Sequence, residues 1–347
     1  MRAAVFHGPG KLELTDVPDP VAGPGEVVLD VIANTVCGTD VRLLSGQKAA
    51  TPGTILGHEI SGRVAEVGEG VDGYAVGDTV VVVPSVTCGN CWFCNRDLEQ
   101  FCENYKLYGY EVNGGLAEKV HISAADVARG NLIPIAADLA VGAACLAEPL
   151  SCVINGFREY GVTLGDTVTI LGAGPIGLLH TQLATLAGAR HVVVSDPSPA
   201  RRAQAERLGA TRMLDPASDD IPAVARELTD GRGSDVVVIA IGRAELMDVA
   251  LKSARIGGRV NAFAGFPKGG SASIDPNDIH YGQLTVTGGS NSRRSDFAEA
   301  VALMSSRQVD VESMVSHRFD LEDVVEAIEF SSSGEGVKVA VVPGLNA

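Results

Sequence analysis

Thr167-Val-Thr-Ile-Leu171 runs straight into Gly172-Ala-Gly174-Pro175-Ile176-Gly177 and then into Leu178-Leu-His-Thr-Gln-Leu-Ala-Thr-Leu186. The first five residues read as a strand buried on both faces, and the last nine as a helix. Between them, Gly172 permits a tight turn, Gly174 a close approach of the backbone to a ligand, and Gly177 tight packing of helix on strand. The helix N-terminus, opened by Pro175, presents unpaired N–H groups to an anion. A glycine turn alone can serve packing only, so its neighbours decide the reading.

A second strand, His191-Val-Val-Val-Ser195, ends in Asp196, nineteen residues beyond Gly177. A carboxylate there accepts hydrogen bonds from ribose hydroxyls and repels a 2′-phosphate, so the coenzyme expected is NAD rather than NADP. Arg201, five residues on, is placed to lie along the adenine or to reach a 2′-phosphate, which keeps NADP as the alternative.

Working outward, apolar runs at Val168–Leu171, Val192–Ser195, Val236–Ile239 and Val260–Phe263 alternate with helical stretches from about residue 151. This pattern predicts a doubly wound parallel sheet of Rossmann type, hence an α/β fold class. Upstream, residues 1–150 are rich in Gly and Pro. They carry short alternating strands at Glu26–Ile32, Gly62–Val67 and Asp78–Val83, which predicts an antiparallel, barrel-like domain. Past residue 290, a helix over Asp296–Ser306 and a strand within Val337–Val342 are expected, the strand rejoining the first domain.

The 347 residues suit two domains, and 46% apolar with 20% charged residues suits a globular chain. No apolar run approaches the roughly 18 residues of a membrane span. Met1–Phe6 lacks the pattern of a secretory signal, so a cytoplasmic protein is expected. A formal net charge of -16 argues against nucleic acid or an anionic membrane as partner.

Of seven cysteines, four fall within fifteen residues: Cys88-Gly-Asn-Cys91-Trp-Phe-Cys94-Asn-Arg-Asp-Leu-Glu-Gln-Phe-Cys102. Four thiolates at such spacings close a tetrahedron around zinc and leave no open position, which is a structural site. A redox pair of Cys88 and Cys91 would leave Cys94 and Cys102 unexplained. Cys145 and Cys152 read as buried packing residues. Three further residues of metal-binding type lie far apart: Cys37 in Val36-Cys-Gly-Thr-Asp40, His58 in Leu56-Gly-His-Glu-Ile60, and Glu148 in Leu146-Ala-Glu-Pro-Leu150. Spacing does not join them, and each alone reads equally as a packing or loop residue.

Together these stretches resemble the zinc-containing medium-chain dehydrogenase/reductase family, in its sorbitol and threonine dehydrogenase branch. The resemblance rests on Cys37-Gly-Thr-Asp40, Gly57-His-Glu59, Gly62, Val67-Gly68, Gly77-Asp78, the four-cysteine segment, Glu148-Pro-Leu150, Gly172–Gly177 and Gly257-Gly258-Arg259. It implies a GroES-like catalytic domain over 1–150, to which 290–347 returns, and a Rossmann NAD-binding domain over 151–289. It implies two zinc ions per chain, the catalytic one held by Cys37, His58 and a third residue. Glu148 stands where the liver alcohol dehydrogenase branch has cysteine. In parts of the family Glu59 ligates instead, and both carboxylates together would fill a tetrahedral shell.

The resemblance further implies oxidation of a secondary alcohol (a polyol, a sugar-like or a hydroxy-amino compound) to a ketone, with Thr39 as the first proton relay. Where many relatives carry a relay histidine this chain has Arg42, which cannot shuttle a proton near neutral pH. Phe263, Ala264, Gly265, Gly288 and Ser290 occupy positions where the family touches the nicotinamide half of the coenzyme, and a homodimer or homotetramer is implied. Lys106 and Arg293 are the cations considered for an acidic substrate group. An NADP-linked enone reductase of the same superfamily and a non-enzymatic nucleotide-sensing scaffold are the alternatives. The cysteine segment argues against the first, and the intact ligand set with Thr39 against the second.

Overall fold

The computed structural model describes residues 1–346. The strand Thr167–Leu171 is buried along its whole length, as a run without polar alternation requires. It lies third in a six-stranded sheet, in the spatial order Arg212–Leu214, His191–Ser195, Thr167–Leu171, Ser234–Ile239, Ala254–Ala262, Thr285–Gly288. All pairings are parallel. The chain winds outward in one direction from Thr167–Leu171 and then restarts beside it at Ser234–Ile239. Such a switch point opens a crevice at the carboxyl ends of the two strands, where Gly172 begins. The strand Ala254–Ala262 is longer than its apolar run, because Gly257, at φ +69°, carries the chain past an irregularity in pairing with Ser234–Ile239.

A separate seven-stranded sheet has the order Val315–Asp320, Lys338–Val342, Val27–Thr35, Ile60–Val67, Thr79–Val82, Leu132–Pro134, with Lys119–Ile122 also pairing with Val27–Thr35. Its pairings are antiparallel except that of the last two strands of the chain, which run parallel. Val27, Leu29, Val31, Ile60, Val64, Val80 and Val82 fill its interior. A second apolar cluster joins Val36, Leu43, Leu56 and Leu116 to Val339, Val341 and the helix Val324–Ser333. Burial of these faces, at roughly 25 cal/mol per Å², is the main favourable term.

The chain forms two compact units: residues 1–151 with 293–307 and 311–347, and residues 152–292 with 308–310. No helix among the described residues is long and apolar enough to cross a membrane.

Candidate metal and coenzyme sites

In the first unit, Cys37 converges with two adjacent residues some twenty positions further on, His58 and Glu59. Ligand atoms of Cys37, His58 and Glu59 all lie within 4.8 Å of one another. The sheet explains this. Thr35 ends one strand, its N–H donating to the Glu59 carbonyl (3.0 Å), and Cys37 follows two residues later at the start of the helix Gly38–Leu44. His58 and Glu59 lead into the neighbouring strand Ile60–Val67.

Asp40, fully buried, does two things. Its Oδ2 accepts the Cys37 N–H at 2.8 Å, fixing the loop, and its Oδ1 faces His58 Nδ1 at 3.6 Å. Both facing atoms are buried with no hydrogen-bond partner. A metal on the other nitrogen of His58 would keep the proton on Nδ1, pointing at this carboxylate, which is how metal-bound imidazoles are commonly oriented. Burial pulls His58 toward the neutral form, but the charges of Asp40, Cys37 and Glu148 prevail and raise its pKa to about 10. A cation is favoured at this point, and a divalent metal fits the donor set.

Glu59 is already engaged. Lys338 Nζ lies 2.7 Å from its Oε1 and 2.6 Å from its Oε2, and the Thr35 hydroxyl donates to Oε2. Both charged side chains are almost wholly buried. Burial works against a charged Lys338, yet Glu59, Cys37 and Glu148 hold its pKa above the ordinary value. Sequence reasoning missed Lys338. It opens the strand Lys338–Val342, and only the pairing of that strand with Val27–Thr35 brings it to Glu59.

Glu148, half-buried in the first turn of the helix Ala147–Tyr160, lies outside the mutual 4.8 Å set but acts by charge on His58, Tyr110 and Lys338. Thr39 is half-buried in the first turn of Gly38–Leu44, and Arg42 in its last turn. The Tyr110 ring meets the His58 ring edge-on, with centroids 5.8 Å apart.

Cys88, Cys91, Cys94 and Cys102 form a second cluster of the same unit, again with sulfurs within 4.8 Å of one another and none in a disulfide. Zn–S bonds of about 2.3 Å in a tetrahedron put sulfurs roughly 3.8 Å apart, so zinc fits. Backbone N–H groups already point at sulfur: Cys88 and Asn104 donate to Cys102 at 3.2 and 3.4 Å, and Cys94 to Cys91 at 3.5 Å. The thiols split without a metal. A backbone N–H from Asn90 draws Cys88 down to about 6, while burial pushes Cys94 up to about 12. The segment is tied down by Arg129, which donates to the Cys88 carbonyl, and by Arg294, which binds Glu99 and donates to Asn131 Oδ1 at 3.0 Å.

The coenzyme candidates lie in the second unit. Gly172 has φ +103°, and a Cβ at Gly177 would stand 1.8 Å from the Gly172 carbonyl, so backbone geometry alone demands both glycines. Gly174 differs. Its φ of -71° is ordinary and a Cβ would meet nothing within 4 Å, so no contact of the chain requires glycine there. It caps the helix Pro175–Leu186 without a side-chain cap, leaving the first N–H groups open to an anion.

Asp196, 3% exposed, accepts from Ala173 N–H at 2.8 Å and Ser198 N–H at 2.9 Å, one bond on each oxygen. Arg202 donates to the Asp196 carbonyl at 2.6 Å and pairs with Asp215 at 3.2 Å, while Arg201 lies in the first turn of Pro199–Arg207. Ile176 is half-exposed at that helix start, and Ala264 and Gly265 follow the strand Ala254–Ala262. The Phe263 ring turns onto His180, 4.7 Å between centroids, and fills the space a Cβ would need at Gly156 or Gly289. Gly288 ends its strand, and the Ser290 carbonyl accepts from Asn155 at 3.2 Å. Cys145 is buried against Ser61 and Ala33, and Cys152 is half-buried.

Residues 23–134 match the alcohol dehydrogenase GroES-like domain and residues 175–306 the zinc-binding dehydrogenase domain. The L-threonine 3-dehydrogenase of Pyrococcus furiosus is 34% identical over 94% of each chain. The sorbitol dehydrogenase of Halalkalibacterium halodurans is 28% identical over 97% of each. A zinc-binding dehydrogenase of Sinorhizobium meliloti 1021, whose crystal structure holds NADP, superposes with a TM-score of 0.92 at 33% identity, covering 99% of both chains. Fold, domain order and similarity along nearly the whole length agree, and the chain belongs to the zinc-containing medium-chain dehydrogenase/reductase family, in the branch of the threonine and sorbitol dehydrogenases.

Proposed function

We propose that the protein transfers hydride between a secondary alcohol and NAD, giving a ketone, with one zinc at Cys37, His58 and Glu148 and a structural zinc at the four cysteines. The observation that carries the reading is the convergence of Cys37, His58 and Glu59 beside the buried, unpartnered Asp40 Oδ1. Zinc at such a site supplies Lewis acidity that makes an alcohol easier to deprotonate.

The chain's own residues do the rest. Cys37 and Glu148 supply two negative charges, matching the charge of the metal, and Asp40 orients His58. Lys338 and Thr35 engage Glu59, so that it would not fill the last ligand position of a zinc held by Cys37, His58 and Glu148. Thr39 Oγ1 receives the alcohol proton and passes it toward solvent. Arg42, permanently charged, takes no part in that relay. Gly172, Gly174 and Gly177, with the helix start at Pro175 and Ile176, cradle the pyrophosphate, and Asp196 binds the adenosine ribose.

NADP is the second reading, favoured by the NADP in the Sinorhizobium meliloti structure and by Arg201 near Asp196. A buried carboxylate at Asp196 supports NAD. Closely placed free thiols suit a reducing compartment and support the cytoplasm. Membership of this branch supports a homodimer or homotetramer, measurable by light scattering.

The test is elemental analysis together with a coenzyme assay. Two zinc ions per chain and NAD reduction by a secondary alcohol, lost in Cys37→Ser, are expected. One zinc or none in the purified protein sinks the reading.

A further inference from the structure

Neither cation considered from sequence lies against the candidate metal cluster in the contacts described. Arg293 reaches Asp97 in the cysteine segment at 3.9 Å, and Lys106 stands exposed on the short strand Lys106–Leu107. A third cation, Lys48, stands next to the candidate metal cluster. Its Nζ is 3.1 Å from Tyr110 Oη and 5.1 Å from the centre of the Tyr110 ring, the same ring that packs edge-on against His58.

Tyr110 is 7% exposed, and a phenol, with an ordinary pKa of about 10, is neutral near pH 7. Lys48 therefore rests on an uncharged partner. Lys119, Lys252 and Lys338 each lie within 2.7 Å of a carboxylate, whereas Lys48, like Lys11, Lys106 and Lys268, has none within ion-pair distance among the described residues. The ring and hydroxyl hold the ammonium at the site.

We propose that Lys48, seated on Tyr110, binds a carboxylate of the substrate and selects hydroxy acids and sugar acids over neutral polyols. The proposal rests on the dehydrogenase reading above and names the substrate class for it. The ammonium has three N–H donors; one is committed to Tyr110 Oη, and two remain for a carboxylate. A dianionic phosphate fits less well. Its second charge and third oxygen would find no partner in a single ammonium with two N–H donors left. The Tyr110 ring is thus shared by Lys48, 5.1 Å from its centre, and His58, whose ring centre lies 5.8 Å away.

The test compares zinc-loaded wild-type, Lys48→Met and Lys48→Arg proteins on matched pairs, D-gluconate against sorbitol and L-threonine against threoninol. Turnover is followed with NAD, and the same compounds are titrated calorimetrically without coenzyme. The wild type is expected to favour the acid of at least one pair. Lys48→Met is expected to lower that acid-to-neutral ratio of kcat/KM at least tenfold, through KM, and to weaken acid binding without coenzyme by a similar factor. Lys48→Arg should recover most of both. A wild type that favours neither acid, or a ratio unchanged in Lys48→Met, overturns the proposal. If the wild type oxidises none of the four compounds, the dehydrogenase reading loses its support and calorimetry alone decides: equal acid affinity in wild type and Lys48→Met refutes the role of Lys48.

Discussion

Asp196, proposed above to bind the adenosine ribose, has its two carboxylate oxygens oriented by the Ala173 and Ser198 N–H groups. Hydrogen bonds to a charged group contribute about 1.5–3 kcal/mol each. Asp196→Ala is accordingly expected to lower kcat/KM for NAD by at least ~10-fold and to narrow the preference over NADP. Steady-state kinetics with both coenzymes check this, and an unchanged ratio would move the discrimination elsewhere. At the other site the critical pair is Lys338 and Glu59. Removing one partner of a buried ion pair costs about 3–5 kcal/mol. Lys338→Met should destabilise the metal-free protein by that order, and Glu59→Gln in the same chain should restore part of it. With metal present, Glu59 released from Lys338 is expected to enter the shell, slowing zinc loss to a chelator while lowering turnover. A cobalt-substituted protein whose visible spectrum is the same with and without Lys338 would argue that Glu59 never competes with Glu148.

The cysteine segment and the helix Pro175–Leu186 are elements whose behaviour separates from the rest. Cys94→Ser should reduce bound zinc from two ions per chain to one and make residues 88–102 sensitive to protease, read by elemental analysis and limited digestion. In the helix, burial drives His180 down to about 3 from its ordinary 6.5, while its Nδ1 shares a hydrogen bond with the Tyr160 hydroxyl at 2.7 Å. The folded chain keeps this imidazole neutral, so the unfolded chain binds more protons between those two values. Its contribution is complete above about pH 6.5 and declines as pH falls toward 3, with a slope approaching ~1.4 kcal/mol per pH unit. Urea unfolding between about pH 7 and about pH 5 should show a steeper loss for wild type than for His180→Gln.

Elements were also where the sequence spoke most clearly. Thr167–Leu171, the glycine turn and its helix are contiguous, and the four cysteines lie in one segment, so local pattern sufficed for both. Lys338 was hidden because Val-Lys-Val-Ala-Val reads as a strand with one side chain turned to solvent, and its partner lies 279 residues away. Lys48 stands in the exposed run Ser45-Gly-Gln-Lys48, which gives no hint of the Tyr110 ring beneath it. Spacing could not join Cys37, His58 and Glu148, and it is strand pairing that brings Cys37 to His58 and its neighbour Glu59.

At the scale of the molecule, the first unit is assembled from both ends of the chain. Lys338–Val342 is buried throughout and lies between Val315–Asp320 and Val27–Thr35. Each buried valine contributes about 1.5–3 kcal/mol, so losing three of them approaches the whole stability of a domain, about 5–15 kcal/mol. A chain ending at Val337 is expected to lose the near-ultraviolet circular dichroism of packed aromatic residues such as Tyr110, and with it the zinc held by Cys37 and His58. A truncated protein that retained both would show that the terminal strand is dispensable.

The span between Glu59 and Lys338 has a consequence for synthesis. A ribosome adding about 5–20 residues per second needs roughly 15–55 s to travel from one to the other. During that interval the N-terminal strands exist without the lysine that makes Glu59 tolerable in their interior, so they wait, open or shielded by chaperones, until the final segment emerges. A polypeptide that stops short of Lys338 therefore carries an uncompensated buried carboxylate at Glu59 and lacks the strand that pairs with Val27–Thr35.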